Sequence, residues 1–443
     1  MWLLLLFSAF VTSVAAQQDS PADDAKALLL QVRQKLMLTV NRLPRYMCTE
    51  TIDRSTFRPK TKLKGVSCDE VAVLRKKTDW RVREDTSDRL RLDVAVSGRI
   101  EMFSWAGEDR FQDRSLADLV QRGATSTGAF VSFLSAVFGT DTADFTYNGD
   151  VNADGRALVE FSFRVPLDKS DYRLENTVHG AIVFSAIVAY DGTFLVDPKT
   201  FDLVRLTIRV HRIPPELSVC ENITTLNYRS VRLNNAEFFL PKDVRFQAIS
   251  ADGSELENRT LFSGCHEFHS ESSLSFDTQT EHGPAQNAEV RVLALPPGLP
   301  FTLALTHAIE TATAAAGDRI KAKLTSPIKE KHNHVLVPKG AAVTGRIVQI
   351  ERHYGGEFES LTLAFKLETV EANGVPQPFD VKLESVVRSS KSVDSSAMRQ
   401  DLGSMGQVFD REDPGVGFLE FQNVSRNFVI NPGVEIQGIT APK

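Results

Sequence analysis

The chain is poor in the residues that most often betray chemistry. Its 443 residues include only 4 cysteines, 3 tryptophans and 9 histidines. It also lacks a surplus of positive charge: 51 Lys and Arg stand against 57 Asp and Glu, a net charge of −6, which argues against nucleic-acid binding. With 26 Gly and 19 Pro it is neither collagen-like nor low in complexity. No apolar run reaches the roughly 18 residues that a bilayer span needs, so no transmembrane span is expected in the mature chain. The G-x-S-x-G nucleophile elbow, the H-E-x-x-H zinc signature and the G-x-x-x-x-G-K-[ST] phosphate loop are all missing. Acidic pairs such as Glu101 with Asp109 and Asp197 with Asp202 could serve glycoside hydrolysis only by converging across a sugar, which spacing does not establish. They read as exposed turn and strand-edge carboxylates. The expectation is a protein that is not an enzyme, with no metal site and no cofactor.

What is present begins with MWLLLLFSAFVTSVAA. Residues 1–16 form an apolar run too short to span a membrane, with Val14 and Ala16 at the −3 and −1 positions of a small-residue cleavage site. They read as a signal peptide ending before Gln17, although only the terminal amine supplies positive charge ahead of the run. No cysteine follows for lipid attachment, so the mature chain is expected to be exported and soluble. Export makes the four cysteines disulfide candidates, with three connectivities open. Cys48 lies at the start of the first expected strand and Cys265 in the last strand of the same domain. Because the two ends of a compact domain tend to lie close together, Cys48–Cys265 is favoured, with Cys68–Cys220 as the second bridge.

The length allows two or three domains. From Pro21 to Asn41 the residues Ala25, Leu28, Leu29, Val32, Leu36 and Val40 recur at helical spacing, with Asp23 and Asp24 at the N-terminus and Pro44 beyond the end. The period then changes to two. RLRLDVAVSG, ALVEFSFRV, LVRLTIRVHRI and NYRSVRL alternate polar and apolar residues between the turn signals Ser97-Gly98, Asp154-Gly155, Asp191-Gly192 and Asp252-Gly253. Between Leu116 and Phe138 the pattern is helical again. The fold class is therefore mainly β (α+β): a long antiparallel sheet with packed helices over 17–269, which the resemblance given below implies is a curved antiparallel half-barrel, and an all-β barrel or sandwich over 289–443. Residues 270–288 form a polar linker, and residues 388–415, without periodicity, form a mobile loop.

The compositional excess is 28 Phe against 6 Tyr. Phenylalanine fills apolar space without a polar atom to satisfy, so Phe103, Trp105, Phe130, Phe133, Phe161, Phe163, Phe194 and Phe239 are the candidate ligand-binding residues of an interior cavity. A solid core built from the same side chains is the alternative. His266 and His269 beside Cys265, and His332 with His334, read as surface and hairpin-tip histidines, since a metal needs at least three converging ligands. The Asn-x-Ser/Thr sequons at Asn222, Asn258 and Asn423 would carry surface glycans only in a eukaryotic secretory route.

The units DGRALVEFSFRV, YDGTFLVDPKTFDLVRLTIRV and NAEFFLPKDVRFQA resemble the LolA and RseB group of periplasmic lipoprotein-binding half-barrels, over about residues 20–269. That resemblance implies an apolar space for acyl chains, and so a carrier or sensor of lipids or lipidated proteins. RLPRYMCTETIDR through FSGCHEFHSESSLSFD looks like a group of exported proteins from acidobacteria, implying a bacterial, periplasmic or extracellular protein. Over about 290–386, with Pro338, Lys339, Gly340, Gly345 and Arg346 carrying the match, the chain is similar to the periplasmic β-barrel domain of the TrbI family, which implies a module that packs against an envelope partner. Two functions follow as expectations. One is a non-enzymatic binding protein holding an acyl chain or lipidated ligand in the half-barrel. The other is an envelope assembly module acting through its β domains without a small ligand.

Overall fold

Alternation of polar and apolar residues becomes, in the structure, an antiparallel sheet with one face turned to helices. The computed structural model describes residues 21–267, 295–387 and 416–442, apart from short breaks at 62, 78, 99, 109–110, 112–115, 121–122, 126, 140, 179–180, 211, 234–235 and 356–358. The expected signal peptide, the 270–288 linker and the 388–415 loop lie outside the described residues. The first part of the chain contains α1 (Pro21–Arg42), β1 (Tyr46–Pro59), α2 (Cys68–Arg75), β2 (Val82–Ser97), β3 (Ile100–Trp105), α3 (Leu116–Leu119), α4 (Ser132–Phe138), β4 (Asp144–Ala153), β5 (Arg156–Val165), β6 (Arg173–Val178), β7 (Ala181–Ile187), β8 (Tyr190–Val196), β9 (Leu203–Val210), β10 (Val219–Leu233), β11 (Ala236–Ser250) and β12 (Glu255–Glu267).

Pairing runs β4-β5-β8-β9-β10-β11-β12-β1-β2-β3, each pair antiparallel, with β6 and β7 forming a separate hairpin. Side chains alternate between faces, so β1 buries Tyr46, Cys48, Glu50, Ile52 and Arg54 on its inner side. Helix α1 lays Ala25, Val32, Leu36 and Val40 against this face, and α4 adds Phe133, Leu134, Val137 and Phe138. The helices expected between Leu116 and Phe138 are the short α3 and α4.

Both expected disulfides form, Cys48–Cys265 and Cys68–Cys220, and no cysteine is free. Paired thiols throughout are the pattern of a protein that matures in an oxidising compartment. The first bridge closes the sheet between β1 and β12, and the second pins α2 to β10. Helix α2 was not expected from periodicity. Its signal is the capping box Ser67-Cys68-Asp69-Glu70, in which the Glu70 amide donates to the Ser67 hydroxyl and the Ser67 amide donates to the Glu70 carboxylate. Asp191-Gly192 is not a turn but lies inside β8. A Cβ on Gly192 would collide with the Thr207 carbonyl and meet the Phe163 ring, so the glycine serves a close approach of chains.

The second part contains β13 (Pro300–Leu305), β14 (Ile309–Glu310), β15 (Arg319–Leu324), β16 (Ile328–Lys329), β17 (Val335–Val337), β18 (Ala342–His353), β19 (Ser360–Ala372), β20 (Val375–Pro378), β21 (Val381–Val387), β22 (Val416–Gln422), β23 (Val429–Ile430) and β24 (Glu435–Thr440). Its main sheet runs β22-β19-β18-β15-β13-β24-β21. The two ends of this order meet, for a Cβ on Gly417 of β22 would strike the Leu383 side chain of β21, so the sheet curls into a barrel. A second core, including Phe301, Leu303, Leu361, Phe365 and Phe379, fills it. Strand β22 was missed in sequence although it pairs with the first half of β19, Ser360 to Lys366.

The two sheets are joined. β18 pairs with the first half of β2 through Glu351–Asp88, Arg352–Ser87 and His353–Thr86, beside the place where β3 pairs with the second half. The Arg91 amide donates to the Ala316 carbonyl at 2.7 Å and the Ala316 amide to the Arg89 carbonyl at 2.8 Å. Arg346, buried at the seam, donates to the carbonyls of Ala106 at 3.0 Å and Gly317 at 2.6 Å and pairs with Glu368.

Candidate functional site

The inner face of the first sheet is covered, and the cover is attached in an unusual way. The described residues of 123–139, including α4, make no strand pairing with the sheet they lie on. They are held by side-chain to backbone bonds at three points and by aromatic rings. At the first point, Arg54 and Asn258, cross-strand neighbours on β1 and β12, both donate to the Ala124 carbonyl, at 3.5 and 2.8 Å. Arg54 is fixed by a bidentate pair with Asp88 at 2.7 and 2.5 Å. A Cβ on Gly123, whose φ is +74°, would run into the Arg54 guanidinium, so only glycine lets the loop pass this close. At the second point the Glu101 carboxylate accepts the amides of Gly128 at 2.7 Å and Phe130 at 3.2 Å. At the third, Arg33 of α1 donates to the last carbonyls of α4, Phe138 at 3.3 Å and Gly139 at 2.5 Å, with its guanidinium 5.5 Å from the Phe145 ring centre.

Three phenylalanines anchor the cover. Phe130 lies edge-on to Tyr46 and Phe262, with centroids 5.6 and 4.7 Å apart. Phe133 meets Tyr172 at 5.7 Å, and Phe138 meets Phe194 at 5.0 Å. Of the residues expected to line an interior, Phe130, Phe133, Phe161, Phe163 and Phe194 come together in this core, where Phe161 stacks on Phe194 at 5.2 Å and Phe163 lies 6.3 Å from it. Phe103 is buried in the same core on β3. Trp105 is only partly buried and also faces Gly317 at the seam, and Phe239 is partly buried and stacks on Tyr228 at 5.8 Å. The space beneath the helices is occupied by these rings.

Beneath Phe130 lies a polar group that sequence reasoning missed. Tyr46 and Glu50 on β1 and Tyr228 on β10 are buried, and the two hydroxyls and the Glu50 Oε2 have no hydrogen-bond partner. Burial, reinforced by the neighbouring Glu101 carboxylate, pushes the Glu50 carboxyl up to about 8, so at neutral pH it is a neutral acid. Burial raises Glu101 as well, against the lowering effect of its two amide donors. Both tyrosines are raised, first by burial and then by Glu101. Glu101 is therefore no exposed edge carboxylate. Asp109 falls outside the described residues. Asp197 accepts the amides of Lys199 and Thr200 in its own turn, while Asp202 pairs with Lys35.

The remaining candidates lie elsewhere. Asn222 and Asn258 are buried, so those two sequons present no surface, whereas Asn423 is exposed. His266 is exposed and lies 2.8 Å from the Gly264 carbonyl, and Cys265 is in its disulfide. His269 lies outside the described residues. His332 sits at φ +68° in the turn between β16 and β17. Among the described residues no cluster of three metal-ligating side chains occurs, and no helix is long and apolar enough to cross a membrane. A separate cleft of about 470 Å³ opens beside the seam, bordered by Arg91, His307, Glu310, Asp318 and Lys321.

No family model and no curated protein matches the chain. Among solved structures, a DUF1329 family protein from Desulfovibrio piger is similar at 9% identity, covering 56% of this chain and 94% of that one with a TM-score of 0.25. A LolA superfamily protein from Nitrosomonas europaea is similar at 10% identity, covering 55% of this chain and 94% of that one with a TM-score of 0.22. At such identities and scores, function has to be argued from this chain's own residues.

Proposed function

We propose that this is an exported binding protein, not a catalyst, that takes an acyl chain or a lipidated ligand onto the inner face of its first sheet when residues 123–139 move aside. The observation that carries the reading is the attachment of the cover. It is fastened by side-chain bonds to Ala124, Gly128, Phe130, Phe138 and Gly139 and by rings seated among other aromatic rings, whereas the strands beneath it are joined to one another by continuous ladders of backbone hydrogen bonds. A segment without ladder bonds opens at lower cost than the sheet beneath it, and the rings it withdraws leave apolar space of the kind an acyl chain fills. The reading agrees with what the resemblance of about residues 20–269 to lipoprotein-binding half-barrels implies.

The test is native mass spectrometry of the mature protein purified from a bacterial periplasm, followed by organic extraction and lipid analysis. A stoichiometric lipid that disappears in Phe130→Asp/Phe133→Asp supports the carrier. A lipid-free protein that also takes up no fluorescent acyl probe refutes it. A second reading, assembly with an envelope partner, draws on the β6–β7 hairpin, which stands outside the large sheet with Ile182, Val183 and Ile187 exposed. Self-association of a lipid-free protein, abolished by serine at those three positions, would favour it.

A further inference from the structure

Buried polar atoms without partners are rare in folded proteins, and here three fall in one neighbourhood. Tyr46 and Glu50 share the inner face of β1, and the Glu101 carboxylate acts electrostatically on Tyr46, Glu50 and Tyr228 alike. Phe262, the cross-strand partner of Glu50, and Tyr46 are the two rings that hold Phe130. Lifting the cover therefore withdraws the Phe130 ring from Tyr46, whose hydroxyl is one of these orphans, and from Phe262, the cross-strand neighbour of Glu50.

We propose that Tyr46, Glu50 and Tyr228 form the polar end of the binding space, and that its occupant is an acyl chain ending in an uncharged carbonyl, an ester or an amide, rather than a free carboxylate. This rests on the binding reading above and adds to it the chemistry of the ligand's head. The two phenols and the neutral carboxyl offer three O–H donors, and a carbonyl oxygen supplies lone pairs for them without bringing a charge. A carboxylate would enter beside Glu101, while Arg54, on the same face of β1, is committed to Asp88 and Ala124, and Arg229, next to Tyr228 in sequence, lies on the outer face and donates to the Phe262 carbonyl. An anion in a buried site without a partner is strongly disfavoured.

The experiment is competition of methyl decanoate and of decanoate against a fluorescent apolar probe bound to the full mature chain at pH 6.5. The expected result is displacement by the ester at about tenfold lower concentration than by the acid, a preference worth roughly one good hydrogen bond. Tyr46→Phe/Tyr228→Phe should remove most of that preference while still binding the probe, and Glu50→Gln, which keeps a donor at the position, should retain it. Thermal melts establish that each variant folds. Equal displacement by ester and acid, unchanged in the phenylalanine variant, would mean that the orphan oxygens hold buried water only and would overturn the subsite while leaving the carrier standing. A wild-type protein that binds neither the probe nor either competitor would overturn the carrier reading and the subsite with it.

Discussion

Replacing Glu50 by glutamine should make the protein more stable at neutral pH, by an amount that grows with pH. In the folded protein the Glu50 carboxyl titrates at about 8, against 4.5 when unperturbed. A group whose folded value is raised holds its proton where the unfolded chain has already released it. The stability linked to that proton is complete below 4.5 and is lost as pH rises towards 8. Over that window the linkage slope approaches about 1.4 kcal/mol per pH unit, and the accumulated loss is about 3 kcal/mol at pH 7 and about 5 kcal/mol above pH 8. No discount for solvent screening applies, since the side chain is fully buried. Glutamine never titrates, so the difference between variant and wild type isolates this one group from the surface charges both share. Urea unfolding of the oxidised protein, followed by tryptophan fluorescence across pH 4.5 to 8, should give stabilities that nearly coincide at the acid end and diverge to about 3 kcal/mol in favour of the Glu50→Gln variant at pH 7. Glu101→Gln in the wild-type background should flatten the slope, because it removes the repulsion that helps raise Glu50. Parallel profiles for wild type and Glu50→Gln would refute the reasoning and mean that water or a cation reaches the carboxylate.

Three further outcomes follow from the packing. With Cys68–Cys220 intact, the outer bridge closes an effective loop of only about 65 residues, so Cys48→Ser/Cys265→Ser should lose about 4 kcal/mol in denaturant melts. Gly192→Ala forces a Cβ into the Thr207 carbonyl and the Phe163 ring and should cost at least about 1–3 kcal/mol, read as a lower thermal midpoint without loss of either disulfide. Arg346→Ala strips donors from Ala106 and Gly317 and leaves Glu368 without this partner, and should cost about 3 kcal/mol while raising proteolytic cleavage near the seam.

What was legible in the sequence was what is local. The three-four spacing of Ala25, Leu28, Leu29, Val32, Leu36 and Val40 and the two-residue period of ALVEFSFRV correctly located α1 and β5, because burial on one face acts within a few residues. The cysteine pairing was readable because chain ends meet in a closed domain. The polar group was readable in part, since Glu50 stands in phase with Tyr46, Cys48 and Ile52, and Tyr228 in phase with Thr224 and Leu226. Phase alone marks a residue as inward, but only the assembled sheet shows which oxygen atoms lack partners. Gly192 misled because a glycine that admits a neighbouring carbonyl and one that turns the chain look alike in sequence. The pairing of β18 with β2 was invisible, for a flank that an interior strand leaves open over three residues carries no local mark of its non-local neighbour.

Sharing β2 between two sheets also gives the molecule a mechanical character. The joint with β18 is a short lap joint whose strands run antiparallel. A pull along the strands loads its hydrogen bonds together, in shear, whereas a pull across them loads one at a time and peels the joint open. The second unit should thus resist sliding against the first far better than being levered from it. Load that passes through β2 enters β1 along nearly its whole length, and from there the Cys48–Cys265 bond hands part of it covalently to β12. The wall beneath the cover is therefore braced by a sulfur tie at one end and a strand splice at the other, so force reaching it through the joint would strain the fastenings of the cover before it tore the sheet.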